Sequence, residues 1–69
     1  MEKIKHEFET FKVQRNKDET MKRIFTLTNT FTRKEIQDTL DLLNKLQYDK
    51  EIKFFVFEVF ESLYNSTPQ

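Results

Sequence analysis

The 69-residue chain has no cysteine, no glycine and no alanine, and only one proline and one histidine. Without cysteine there is no disulfide framework and no thiolate metal site, which fits a reducing interior. Without glycine, the Gly-rich loops that cradle phosphates are missing, and a tight primed β-turn loses its preferred residue. A single His6 and no thiol leave the usual nucleophile–base dyads without their parts. His6 sits close to the amino terminus and reads as a surface residue. No set of reactive groups converges in the sequence, so no catalytic activity, no cofactor and no small-molecule substrate are expected. Long apolar runs are absent as well: nothing approaches the roughly 18–20 residues needed to span a bilayer. Met1-Glu2-Lys3-Ile4-Lys5 does not resemble a secretory leader. A cytoplasmic protein with no membrane partner is the expectation.

What is present is aromatic and charged. Eight Phe supply much of an apolar fraction of 36%. A chain this short buries only about 60% of the surface its unfolded form exposes. Rings that bury roughly 150–250 Å² each compensate for that shortage. Lys, Phe, Thr and Asn are abundant, and the codons of Lys, Phe and Asn are AT-rich. That bias points to a phage or other mobile element of a low-GC bacterium.

Charge is balanced overall and divided along the chain. Residues 1–34 carry nine Lys and Arg against five Asp and Glu, a net +4, whereas residues 35–69 carry three against seven, a net −4. Halves of opposite sign can attract each other within one chain or between two copies, and a basic half can meet nucleic acid.

The strongest local signal is Thr32-Arg33-Lys34-Glu35, a capping box in which Thr32 and Glu35 satisfy each other's amides. Behind it Ile36, Leu40 and Leu43 recur at helical spacing, which predicts a helix over 33–47. Asp38 and Asp41 share a helix face, but hard-cation sites draw ligands from several segments, so the pair reads as solvated and no metal is expected. Asp49 is a natural N-cap for a second helix over 50–64. There Ile52, Phe55, Val56, Val59, Phe60 and Leu63 form one continuous apolar face. The run Phe54-Phe55-Val56-Phe57 has strand propensity, but its large groups fall on both parities, so the helix prevails. Two helices with so short a connection form an antiparallel hairpin. Residues 66–69 read as a disordered tail.

The first half has two readings. Thr26, Thr28 and Thr30 alternate with Phe25, Leu27 and Phe31, and Phe11 and Val13 alternate with Lys12 and Gln14, which favours strands. Asn16-Lys17-Asp18-Glu19 supplies turn chemistry between them. That gives a β-hairpin or ribbon over 7–30. The alternative takes Ile4, Phe8 and Phe11 as one helical face and Met21, Ile24, Phe25, Thr28 and Phe31 as another. The expected fold is therefore α+β, a single ββαα domain over 1–65 with the hairpin packed on the carboxy-terminal αα-hairpin. An all-α arrangement of four short helices is the alternative.

The second helix has more aromatic rings than its buried face needs. Phe54 falls on its polar side, and Phe57 and Tyr64 at the edge of the apolar arc, next to Glu58 and Glu61. An exposed aromatic patch with a charged rim is the anatomy of a protein interface. The expected function is that of a non-catalytic inhibitor or regulator that binds a host protein through Phe54, Phe57, Glu58, Glu61 and Tyr64. A homodimer built on the second helix is a further alternative.

Lys22 and Arg23, then Thr26 and Thr28 on a strand, then two helices, resemble the ribbon-helix-helix family of DNA-binding proteins. The resemblance covers about residues 22–64. It implies a homodimeric transcriptional regulator whose paired strands enter the major groove, with Thr26 and Thr28 facing bases and Lys22 and Arg23 facing phosphates. The sequence departs from the family at Tyr48-Asp49-Lys50, where the usual glycine-containing turn is missing. It also departs at Asp49 and Glu51, which repel phosphate where the family often contacts it.

Overall fold

The computed structural model describes residues 1–68, and every described element is a helix. In chain order these are α1 (Glu2–Gln14), α2 (Lys17–Leu27), α3 (Arg33–Asn44) and α4 (Lys50–Ser66). The helices fall into two compact units, Met1–Thr30 and Phe31–Gln69. The ββαα expectation is thereby overturned: among the described residues there is no strand, and the four-helix alternative is the one found.

In the first unit the expected hairpin over 7–30 is replaced by α1 packed on α2. Ile4, Phe8 and Phe11 line the buried side of α1, at the three- and four-residue steps of a helix. Val13, assigned to a strand face by its alternation with Lys12 and Gln14, is 84% exposed. The buried stripe of α2 is Thr20, Ile24 and Thr28, again four residues apart. The segment expected to turn a hairpin instead starts α2: the Asn16 side chain accepts from the Glu19 amide at 3.1 Å, an N-cap. The threonines that suggested a strand are accommodated by back-bonding. Thr26 Oγ1 donates to the Lys22 carbonyl at 3.0 Å, and Thr28 Oγ1 to the Ile24 carbonyl at 2.8 Å. With no glycine available, the corner between α1 and α2 puts Arg15 in the left-handed region, at φ 57°, ψ 28°.

The second unit follows the sequence reading more closely. The capping box forms in full: the Glu35 amide donates to Thr32 Oγ1 at 3.2 Å and the Thr32 amide to Glu35 Oε1 at 3.0 Å. Asp49 caps α4 by accepting from the Ile52 amide at 3.0 Å. The helix expected over 33–47 stops at Asn44, where the Lys45 amide donates to the Leu42 carbonyl and the Leu46 amide to the Leu43 carbonyl, both at 3.1 Å, three-residue bonds that tighten the last turn. The helix expected over 50–64 runs on to Ser66, and Thr67 closes it, so Ser66 and Thr67 are part of the fold where a tail over 66–69 was expected; position 69 lies outside the described residues. Ile36 and Leu43 of α3 and the six apolar residues of the α4 face are buried. Each such side chain contributes roughly 1.5–3 kcal/mol relative to exposure. Arg33, at the start of α3, donates from Nε to the Thr67 carbonyl at 2.9 Å. The beginning of α3 therefore lies beside the end of α4, and the two helices are antiparallel.

Candidate functional site

The α4 helix is long enough to have two complete sides, which decides what its surplus rings do. Its buried arc is filled by Ile52, Phe55, Val56, Val59, Phe60 and Leu63. The remaining rings are left outside: Phe54 is 67% exposed, Phe57 45% and Tyr64 39%. Glu58 and Glu61 are exposed too. Phe54, Glu58 and Glu61 follow one another at four- and three-residue steps, and Phe57, Glu61 and Tyr64 do the same on the adjoining line. All five residues selected from the sequence therefore share one exposed side of one helix.

An open groove of about 210 Å³ runs along this side, between α3 and α4. Ile36, Leu40, Phe57 and Phe60 give it an apolar floor, and Gln37 and Glu61 are polar groups at its edge. That volume is below the roughly 300–1,000 Å³ of small-molecule pockets. It suits one large side chain of a partner. Tyr64 also lines the groove and is held from behind: the Arg33 guanidinium carbon lies 4.8 Å from the centroid of its ring. The Gln37 amide nitrogen donates to Asp41 at 3.1 Å, which fixes the opposite edge. The Glu61 carboxylate makes no bond to any described residue.

The second set of residues lies on α2, where the ribbon reading does not survive. Thr28 is 3% exposed and its hydroxyl is spent on the Ile24 carbonyl, so it faces no ligand. Thr26 is exposed on a helix, with its hydroxyl on the Lys22 carbonyl. Arg23 Nε is bonded to Glu7 of α1, and its guanidinium lies 3.8 Å from Glu19. Lys22 alone of the four presents an ion to solvent with no partner among the described residues. The ribbon-helix-helix resemblance fails with the strand it needs.

What the sequence did not reveal is the surface around Lys22. An open hollow of about 610 Å³ lies against α2, lined by Asp18, Met21, Lys22, Phe25 and Thr26. Met21 and Phe25 are half-buried there. Their half-exposure could be read only once α2 was known to be a helix. Among the described residues no group of three or more His, Asp or Glu side chains is placed to hold a metal ion. No helix among them is long and apolar enough to cross a membrane. Comparison with models of protein families, with curated proteins and with solved structures finds no match.

Proposed function

We propose that the protein is a small, non-catalytic binding protein that acts in the cytoplasm by docking its α4 face on a host protein. The observation that carries the reading is the exposure of Phe54, Phe57 and Tyr64 on one side of α4, beside Glu58 and Glu61. Contiguous exposed rings with a charged rim are the composition of protein contact surfaces, in which aromatic residues tend to carry the energy. The groove beside Phe57 gives such a contact a place for an anchoring side chain of the partner. The abundance of Lys and Phe, residues with AT-rich codons, and the lack of Gly and Ala suit a phage or mobile-element protein of a low-GC bacterium that inhibits or redirects a host factor.

Affinity capture from the native host tests this with three forms of the protein. Wild type and the Leu42→Ser variant, which alters an exposed apolar residue of α3, should retain the same host protein. The Phe54→Ser/Phe57→Ser variant should lose it while keeping its helical circular dichroism. Undiminished capture by the double variant would remove α4 from the interface and sink the proposal.

A further inference from the structure

The exposed side of α4 repeats at alternating steps of four and three residues: Lys50, Phe54, Phe57, Glu61 and Tyr64. That is the spacing of a coiled-coil seam, and it lies opposite the arc that α4 buries in its own unit. Its inner members are the exposed rings of Phe54 and Phe57. The positions flanking them, Lys50 and Glu61, carry opposite charges, and neither has an ionic partner among the described residues. Tyr64, at the end of the stripe, already lies against Arg33. The stripe is complementary to itself. Phe54 and Phe57 are centred on the midpoint between Phe55 and Val56, and so are Lys50 and Glu61.

We infer that α4 pairs with α4 of a second copy of this chain, the two helices antiparallel, with Phe54 of each copy on Phe57 of the other and Lys50 on Glu61. The contact goes beyond the host docking proposed above, and it uses α4 alone. Charge selects the direction, because a parallel pair sets Lys50 against Lys50 and Glu61 against Glu61. Charge also selects the register. The neighbouring antiparallel seam puts Phe57 against Glu61 and leaves Lys50 past the partner's last turn. In the pairing inferred, each Glu61 comes to the amino-terminal end of the partner's α4, where a helix favours negative charge. Lys50 and Glu61 are about 16 Å apart along α4, at 1.5 Å per residue, so an ion pair closes each end of the aromatic layers. One face meets itself, so a two-fold axis relates the copies and the contact closes at two. Two apolar layers make a short seam, and Glu51 and Glu58 of both copies fall along one margin of it. The dimer is therefore weak, and it holds the α4 face back until a host protein displaces the second copy.

Charge reversal tests the pairing directly, because Lys50 and Glu61 are exposed and neither is part of the core. Sedimentation equilibrium on the full chain should show a reversible monomer–dimer equilibrium. Lys50→Glu and Glu61→Lys should each weaken the dimer on the order of tenfold, since each makes both symmetric ion pairs repulsive. The double variant Lys50→Glu/Glu61→Lys exchanges the two charges and should dimerise as wild type does. An equimolar mixture of the two single variants should recover the dimer as well, because every lysine then faces a carboxylate. Circular dichroism of each variant establishes that it remains folded. A wild-type chain that stays monomeric up to about 1 mM, the range of the weakest specific contacts, overturns the inference. So does a double variant, or a mixture, that associates no better than the single variants. Host capture is read separately. Capture that depends on Phe54 and Phe57 while wild type stays monomeric leaves the docking face standing and removes the dimer. A wild-type dimer together with undiminished capture by Phe54→Ser/Phe57→Ser does the reverse.

Discussion

The Arg33 guanidinium lies 4.8 Å from the centroid of the Tyr64 ring, and the same side chain donates from Nε to the Thr67 carbonyl at 2.9 Å. The last turn of α4 contains no basic residue. Arg33, from the start of α3, therefore supplies the positive charge that a helix carboxy terminus favours. It also fixes the ring that walls the groove. Replacement by Ala should cost about 1–2 kcal/mol in chemical denaturation, from the lost cation–π contact and the lost carbonyl partner. Lys, which keeps the charge but lacks the planar fork, should recover less than half of that.

The capping box is the second test. Thr32→Ala removes the acceptor for the Glu35 amide and should destabilise the protein by about 1 kcal/mol. Glu35→Ala should cost less once Thr32 is already gone, because the two side chains act reciprocally. A double-mutant cycle by urea unfolding measures the coupling, and strictly additive losses would contradict the box.

Thr20 is buried, and its hydroxyl has no hydrogen-bond partner among the described residues. A desolvated hydroxyl with no partner is a liability, so Thr20→Val should leave stability unchanged or raise it by up to about 1 kcal/mol. A loss greater than that in thermal unfolding would show that the hydroxyl has found a partner.

At the corner between α1 and α2, Arg15 holds a backbone conformation that glycine adopts freely and a β-branched residue resists. Arg15→Val should therefore destabilise by about 1–3 kcal/mol. Arg15→Gly should stay within about 1 kcal/mol of the parent, since relief of the strain offsets the greater freedom of the unfolded chain and the loss of the guanidinium 5.9 Å from the Phe11 ring. Equal losses for the two would place the corner's strain elsewhere.

Buried and exposed rings should separate cleanly. Phe60→Ala should cost about 3–5 kcal/mol, comparable with the whole stability of a chain this short, and leave it largely unfolded. Phe54→Ser, at an exposed position, should change the unfolding midpoint by the equivalent of about 0.5 kcal/mol or less.

Which of these features could be read in advance follows from where the apolar groups are. The α4 face is composed of six large apolar residues at helical steps, so its direction, its N-cap at Asp49 and the leftover rings were all visible in the residues. The α2 stripe is different. Two of its three buried members, Thr20 and Thr28, are polar, whereas the larger Phe25 and Leu27 are only half-buried. Counting apolar residues there finds alternation instead of the four-residue step, and threonine's strand preference reinforces it. Back-bonding hydroxyls at Thr26 and Thr28 reconcile those residues with a helix, and no single-residue preference anticipates that. The hollow beside Lys22 was invisible for the same reason.

The corner at Arg15 and Asn16 has no slack. One residue inserted there advances the following helix by about 100°, so Ile24 would swing out and Lys22 would come round toward the side now facing α1. Evolution of this chain can thus alter α2 by exchanging side chains far more readily than by changing its length. Any variant with an added residue at that corner would bring Arg23 to the place against α1 that Ile24 now fills.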